Sequence, residues 1–117
     1  MARGRRIITK KVPDEASQIA GQLHDKWFDL DAVHFEPNTG EWSVAIGDSP
    51  KGHFDSMLVV TEVKGWDCVD TERVGLYDIH HITIDRKNLT LEIIGCIPIR
   101  VLLRISPSSA VSVRSRA

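Results

Sequence analysis

The chain has few of the residue types that usually reveal a function. Its 117 residues include only two cysteines, Cys68 and Cys96, which are far apart and outside any CxxC pair. Such cysteines are typical of small buried side chains in strands, and they disfavour a disulfide scaffold or a cysteine metal site. The sequence has no glycine-rich phosphate loop, no HExxH or GxSxG motif and no internal repeat. We therefore expect no enzyme of a recognisable type and no organic cofactor.

Long hydrophobic runs are also missing. The longest, at 57–60 and 101–103, are far too short for a membrane-spanning helix. The basic N-terminus is followed by Lys10-Lys11 rather than by an apolar core, which disfavours a signal peptide. These features predict a cytoplasmic protein that does not interact with membranes.

Charge is nearly balanced overall but unevenly distributed. The net charge is -1, yet residues 1–11 carry five basic residues and residues 107–117 carry two, with no acidic residue in either segment. One hypothesis is that these basic ends bind nucleic acid. However, residues 12–106 hold all 16 acidic residues of the chain, and an acidic body repels a phosphate backbone. We therefore do not expect nucleic acid as a partner, and we interpret 1–5 and 107–117 as flexible ends.

The segment after Pro13 has the pattern of an amphipathic helix. A proline followed by two acidic residues is a helix-start signal. Apolar residues then recur at helical spacing, at Ala16, Ile19, Ala20, Leu23 and Trp27. This spacing predicts a helix from residue 14 to about 27.

Residues 32–46 predict a β-hairpin. Two alternating segments, 32–36 and 41–46, flank Pro37-Asn38-Thr39-Gly40, which supplies the Asn and Gly that positive φ angles favour. The alternation predicts one buried face, formed by Val33, Phe35, Trp42, Val44 and Ile46. His34 and Glu36 are then expected to point outward.

The alternation slips by one residue within segment 77–85. Tyr77 and Ile79 occupy odd positions, whereas Ile82 and Ile84 occupy even ones, and His80-His81 fills the slip. A one-residue slip turns every following side chain to the other face unless the strand twists strongly or carries a bulge. The pattern therefore predicts a distortion at the histidine pair.

These elements together predict an α+β fold of one domain spanning 1–117. We expect one N-terminal helix packed on a curled, mostly antiparallel sheet of about six or seven strands, bent into a half-barrel. One long strand is expected from residue 56 past Gly65 to residue 70. Three strands between 76 and 105, joined by short connections, predict a C-terminal meander. The ordered core should cover about 6–106.

The sharpest constellation for chemistry is Asp78 with His80 and His81. Carboxylate and imidazole groups bind divalent ions, and residues two apart on a strand share a face. The sequence thus predicts Asp78, His80 and His81 as ligands of a divalent metal ion, with His34 or His53 as alternative third ligands. A small metal-dependent enzyme centred on Asp78 and His80 is one hypothesis. The leading hypothesis is a non-catalytic module that binds a protein partner or itself, because no catalytic signature is present and several strands could be sheet edges.

Overall fold

The computed structural model describes residues 23–51, 54–70, 75–95 and 99–115. In this part the chain forms eight strands: β1 (Trp27–Glu36), β2 (Glu41–Gly47), β3 (Ser56–Val60), β4 (Gly65–Asp70), β5 (Leu76–Asp85), β6 (Thr90–Gly95), β7 (Ile99–Arg104) and β8 (Val111–Ser115). They form one antiparallel sheet in the order β4-β7-β6-β5-β1-β2-β3-β8.

The predicted α+β class is wrong, because the described residues contain eight strands and no helical element, with Leu23 as their single helical residue. Trp27, where the predicted helix was expected to end, begins β1 instead. It lies between two strands, opposite Gly47 of β2 and Asp78 of β5. Pairing on both sides thus overrides the helical spacing of the side chains around it. Residues 14–22 of the predicted helix, and the basic segment 1–5, lie outside the described residues.

The sheet has two halves that share one hydrophobic core. Strands β1, β2, β3 and β8 form the first half and β4 to β7 the second, and only residues 27–29 of β1 pair with residues 76–78 of β5 between them. Buried side chains from both halves form one cluster, with Trp42 and Leu58 from the first half and Leu91 and Leu103 from the second. The ring of Trp42 meets Trp66 of β4 edge to face, with centroids 6.0 Å apart. We call the core side of each half its inner face and the opposite side its outer face.

The predicted hairpin is confirmed. Val33 pairs with Val44 and Phe35 with Trp42, and the turn 37–40 joins β1 to β2. Gly40 has a φ of 77°, so the turn uses the backbone freedom that glycine supplies. Trp42, Val44 and Ile46 are buried, and the side chains of Val33 and Phe35 pack against the same cluster. His34 is exposed, as its place in the alternation predicts.

The long strand predicted from residue 56 to residue 70 is interrupted. It is divided into β3 and β4, which lie in different halves of the sheet. The break falls at residues 61–64, where Glu62 has a φ of 52° and leaves the extended conformation. Apolar residues occur in the sequence on both sides of the break, because β3 and β4 both direct side chains into the same core.

The C-terminal prediction is correct for the meander and wrong for the tail. Strands β5, β6 and β7 are consecutive neighbours, as the short connections indicate. Residues 111–115 of the expected flexible tail form β8, which pairs with β3 over five residues. Together with the division into β3 and β4, this brings the count among the described residues to eight strands instead of six or seven.

Two crossing segments connect the halves, and they are bonded to each other. Thr61 donates its backbone N–H to the carbonyl of Ala110 at 3.0 Å, and Ala110 donates its own to Thr61 Oγ1 at 2.9 Å. The hydroxyl of Ser108 donates to Glu62 Oε1 at 2.8 Å, and that of Ser109 to the Glu62 carbonyl at 3.0 Å. Segments 61–64 and 105–110 therefore form one junction.

The described residues form no helix that could span a membrane.

Candidate functional site

The predicted distortion at the histidine pair is a β-bulge. The pairing of β5 with β6 shifts between Ile79, opposite Gly95, and His81, opposite Ile94. His80 is the additional residue, so the buried side chains Ile79 and Ile82 can both face the core although they are three residues apart. The bulge consequently leaves both histidines toward the outer face, where His80 is exposed and His81 half-buried.

The two imidazoles point their Nδ1 atoms at each other. These nitrogens lie 2.7 Å apart, and the ring centroids are 4.9 Å apart with the planes crossed at 73°. Two neutral imidazoles approach this closely when one nitrogen carries a hydrogen and the other presents its lone pair. The separation is that of a hydrogen bond between the two rings, in which either nitrogen can be the donor.

A third histidine, His24, lies beside His80 and His81, and the sequence did not predict this contact. Its Nδ1–H donates to the backbone carbonyl of His80 at 3.0 Å, and the two rings lie 6.1 Å apart. Since a carbonyl only accepts, this bond requires a hydrogen on Nδ1 of His24. The Nε2 atom of His24 lies 3.6 Å from Asp25 Oδ1. No local pattern could have identified His24, because 56 residues separate it from His80.

The structure brings together two of the three predicted metal ligands. Asp78 is half-buried, and its backbone lies opposite Trp27 of β1. In the described ranges, no group of three or more His, Cys, Asp or Glu side chains is placed to hold one ion. His34 lies on β1 opposite Ser43, and His53 is outside the described residues. Asp78 as a third ligand therefore stays a prediction.

Asp85, at the end of β5, organises a turn. Its Oδ1 accepts the backbone N–H groups of Lys87 and Asn88, each at 3.0 Å, and its Oδ2 accepts the side-chain amide of Asn88 at 2.7 Å. These donors favour the charged form of the carboxyl. They lower the pKa of Asp85, with the backbone bond from Asn88 as the largest cause and the Asn88 side chain next.

A second candidate surface lies at the other end of the same outer face, where β4 ends the sheet. Among the described residues, β4 has only β7 as a neighbour. Val69 is the one large hydrophobic side chain in the described part of the chain that is exposed, at 56%. A cavity of about 360 Å³ adjoins it. We call its lining the β4 edge surface: Asp67, Cys68, Val69, Glu92, Arg100 and Leu102.

The strand register explains how five of these six residues come together on the outer face, whereas Cys68 follows the opposite alternation and pairs with the buried Val101. One row across the outer face runs Val69, Arg100, Ile94 and His81, and the next runs Asp67, Leu102, Glu92 and Thr83. The β4 edge surface and the histidine pair are therefore opposite ends of one continuous outer face. Sequence reasoning missed this surface because it depends on pairing between distant strands.

Charges on the β4 edge surface are balanced by exposed ion pairs. Arg100 Nε contacts Glu92 Oε2, and Arg104 Nη1 lies 3.6 Å from Asp67 Oδ2. The side chains of Arg100 and Asp67 are 63% and 76% exposed, so both can exchange partners at little cost. Cys68, which was expected to be buried, is exposed at this edge. Cys96 lies outside the described residues.

Searches against protein families, curated proteins and solved structures find no match to this chain.

Proposed function

We propose that this chain is a non-catalytic self-association module in which two copies pair antiparallel along β4. The observation that carries the proposal is the exposed Val69 on a strand that, among the described residues, ends the sheet. An edge strand presents unpaired backbone donors and acceptors, and proteins that stay monomeric usually protect it with charged residues or a bulge. Strand β4 carries the exposed carboxylate of Asp67, but it also combines this edge with an exposed apolar side chain and an adjoining cavity.

The opposite edge, β8, is a poorer candidate. Its apolar side chains, Val111 and Val113, are packed against the core. Ser112, which lies between them, is half-buried, and Arg114, which follows Val113, is exposed. Strand β8 therefore offers no exposed apolar side chain to a second copy.

The register of the proposed dimer follows from the side-chain faces. In a continuous sheet, residues opposite each other on neighbouring strands direct their side chains to the same face. Two copies of β4 related by a two-fold axis satisfy this only when the axis passes through a residue, which then lies opposite its own copy. An axis through Asp67 places that carboxylate opposite its own copy, which is unfavourable. An axis through Cys68 places Asp67 opposite Val69 of the second copy. Of these two registers, we favour the axis through Cys68.

Charge complementarity also supports a second copy as the partner. Arg100 is the neighbour of Val69 in its row, so in this dimer it faces Asp67 of the second copy across Val69. The two backbones are about 10 Å apart, at about 4.8 Å for each strand spacing. The extended side chains of Arg100 and Asp67 together span that distance. The two-fold axis repeats the contact, because a symmetric interface uses the same patch twice.

Light scattering on Val69→Lys and Thr83→Lys tests the proposal. Thr83 is exposed on the outer face of β5, away from either edge, so its variant adds the same charge without touching β4. At about 100 μM we expect wild type and Thr83→Lys to be dimers and Val69→Lys to be a monomer, because the lysine charge would have to be desolvated between the copies. A monomeric wild type, or a Val69→Lys variant as dimeric as wild type, would contradict the proposal.

The register has its own test. In a Cys96→Ser variant, Cys68 is the sole thiol, and residues directly opposite in antiparallel strands have Cα atoms about 4.5–5.5 Å apart, within disulfide reach. Mild oxidation should link the dimer covalently without changing its light-scattering mass. A dimer that oxidation does not link would rule out this register but not self-association.

We also propose that the module acts in the cytoplasm. An exposed cysteine on an edge strand is compatible with a reducing compartment, where thiols are kept from forming disulfides.

A further inference from the structure

We propose that the histidine pair on the β5 bulge binds a divalent transition-metal ion that prefers right-angle ligation, Ni²⁺ or Cu²⁺, through His80 Nδ1 and His81 Nδ1. The site goes beyond self-association, since β5 lies three strands in from β4. Two imidazole nitrogens on adjacent residues lie close enough for one ion to contact both. An ion bound in this way would replace the hydrogen bond between the rings.

The distance between the nitrogens decides which geometry fits. Two imidazole nitrogens bound to one ion at about 2.0–2.1 Å lie about 2.9 Å apart when they meet at a right angle, and about 3.3 Å apart in a tetrahedron. The observed 2.7 Å between His80 Nδ1 and His81 Nδ1 is much closer to the first value. The separation therefore fits tetragonal ligation, which is typical of Cu²⁺ and Ni²⁺, once both rings turn their Nδ1 atoms from each other toward the ion. A tetrahedral Zn²⁺ site would need a larger opening.

The backbone holds this pair in place. The bulge fixes both residues toward the outer face, because Ile79 and Ile82 are buried on either side of them. His24 fixes the carbonyl of His80 through its Nδ1–H. His80 is exposed, so water can reach an ion there and fill its remaining positions. The described residues supply no third ligand group at this point, and the two imidazoles alone carry the proposal.

Calorimetric titration of untagged protein with Ni²⁺, Cu²⁺ and Zn²⁺, each added alone, tests the site. We expect one ion per chain, with Cu²⁺ bound more tightly than Ni²⁺, in accordance with the general affinity order of these ions. His80→Ala and His81→Ala should each weaken binding by at least about tenfold. Loss of a residue that only hydrogen-bonds to a metal ligand already costs about that much, and here a ligand itself is removed. His34→Ala removes an exposed imidazole on β1 and should leave the affinity unchanged.

Paramagnetic resonance of the Cu²⁺ complex gives a second measurement that does not depend on affinity. Wild type should show nitrogen couplings from two imidazoles, and His80→Ala from one. Circular dichroism spectra matching wild type verify that the variants fold. Wild-type affinity in both histidine variants, tighter binding of Zn²⁺ than of both other ions, or a Cu²⁺ spectrum unchanged in His80→Ala would each overturn the proposal.

Discussion

Replacing Leu103 by Ala should destabilise the fold far more than the same change at its neighbour Leu102. Leu103 is fully buried in an inner row with Trp66, Leu91 and Ile84. Leu102 follows the opposite alternation and is half-buried on the outer face. The two variants delete the same atoms from adjacent positions, so any difference between them reports which face is the core.

The expected magnitudes follow from burial. Leucine to alanine in a core costs about 2–5 kcal/mol, including the cavity left behind. For Leu103, which has no exposed surface, we expect about 3–4 kcal/mol, a large share of the roughly 5–15 kcal/mol that stabilises a domain. For Leu102, with only part of its side chain removed from water, about 1 kcal/mol is expected.

Urea unfolding followed by tryptophan fluorescence measures both values. Trp66 is the row neighbour of Leu103, and its contact with Trp42 makes the emission sensitive to loss of the core. With a slope near 1.5 kcal/mol/M, the Leu103→Ala midpoint should fall by roughly 2 M. The Val69→Lys background at low micromolar concentration removes any contribution from association. Equal costs at the two positions, or a larger cost for Leu102→Ala, would refute the register described above, because a one-residue slip exchanges the faces.

Two further predictions concern turns. Because hydrogen bonds from Asn88 hold the pKa of Asp85 below its ordinary value of 3.8, the carboxylate stabilises the fold above that value and loses this contribution as the pH falls through the lowered pKa. The urea midpoint should therefore fall more in wild type than in Asp85→Asn between about pH 5 and about pH 2.5, and equal falls would contradict the linkage. Gly40→Ala should cost about 2–3 kcal/mol, since φ is positive there and an added Cβ would lie 3.1 Å from Glu62 Cα. Gly75→Ala has a similar φ but open space, so thermal unfolding should show a loss of only about 1–2 kcal/mol, and equal losses would show that the contact near Glu62 does not matter.

Local patterns predicted what local interactions determine. The hairpin from β1 to β2 followed from alternation and from the turn before Gly40. The bulge at His80 followed from the alternation alone. When the apolar residues of a strand with one buried face shift from odd to even positions, the strand must carry a bulge or twist strongly. In both cases neighbouring residues contain all the information needed.

The errors arise where distant pairing decides the structure. Strand β8 is short and polar enough to resemble a tail, and it becomes a strand because β3 offers it a partner. Trp27 fits a helical face, yet it lies between β2 and β5. The same reason explains the site: the proximity of His80 and His81 follows from the bulge, but the contact of His24 arises only through the fold.

We expect the bonded junction between segments 61–64 and 105–110 to form late in folding. Residues 65–104 are one stretch of sequence that builds the whole second half of the sheet, and its longest closure, the pairing of β4 with β7, joins residues about 30–40 positions apart. Pairing of β3 with β8 instead joins residues about fifty positions apart, which carries a larger entropic cost. We expect β8 to dock last, after collapse of the second half has returned residue 105 to the side of Glu62. Until then β3 is an unpaired edge, and a chain released before β8 has docked is the form most exposed to aggregation.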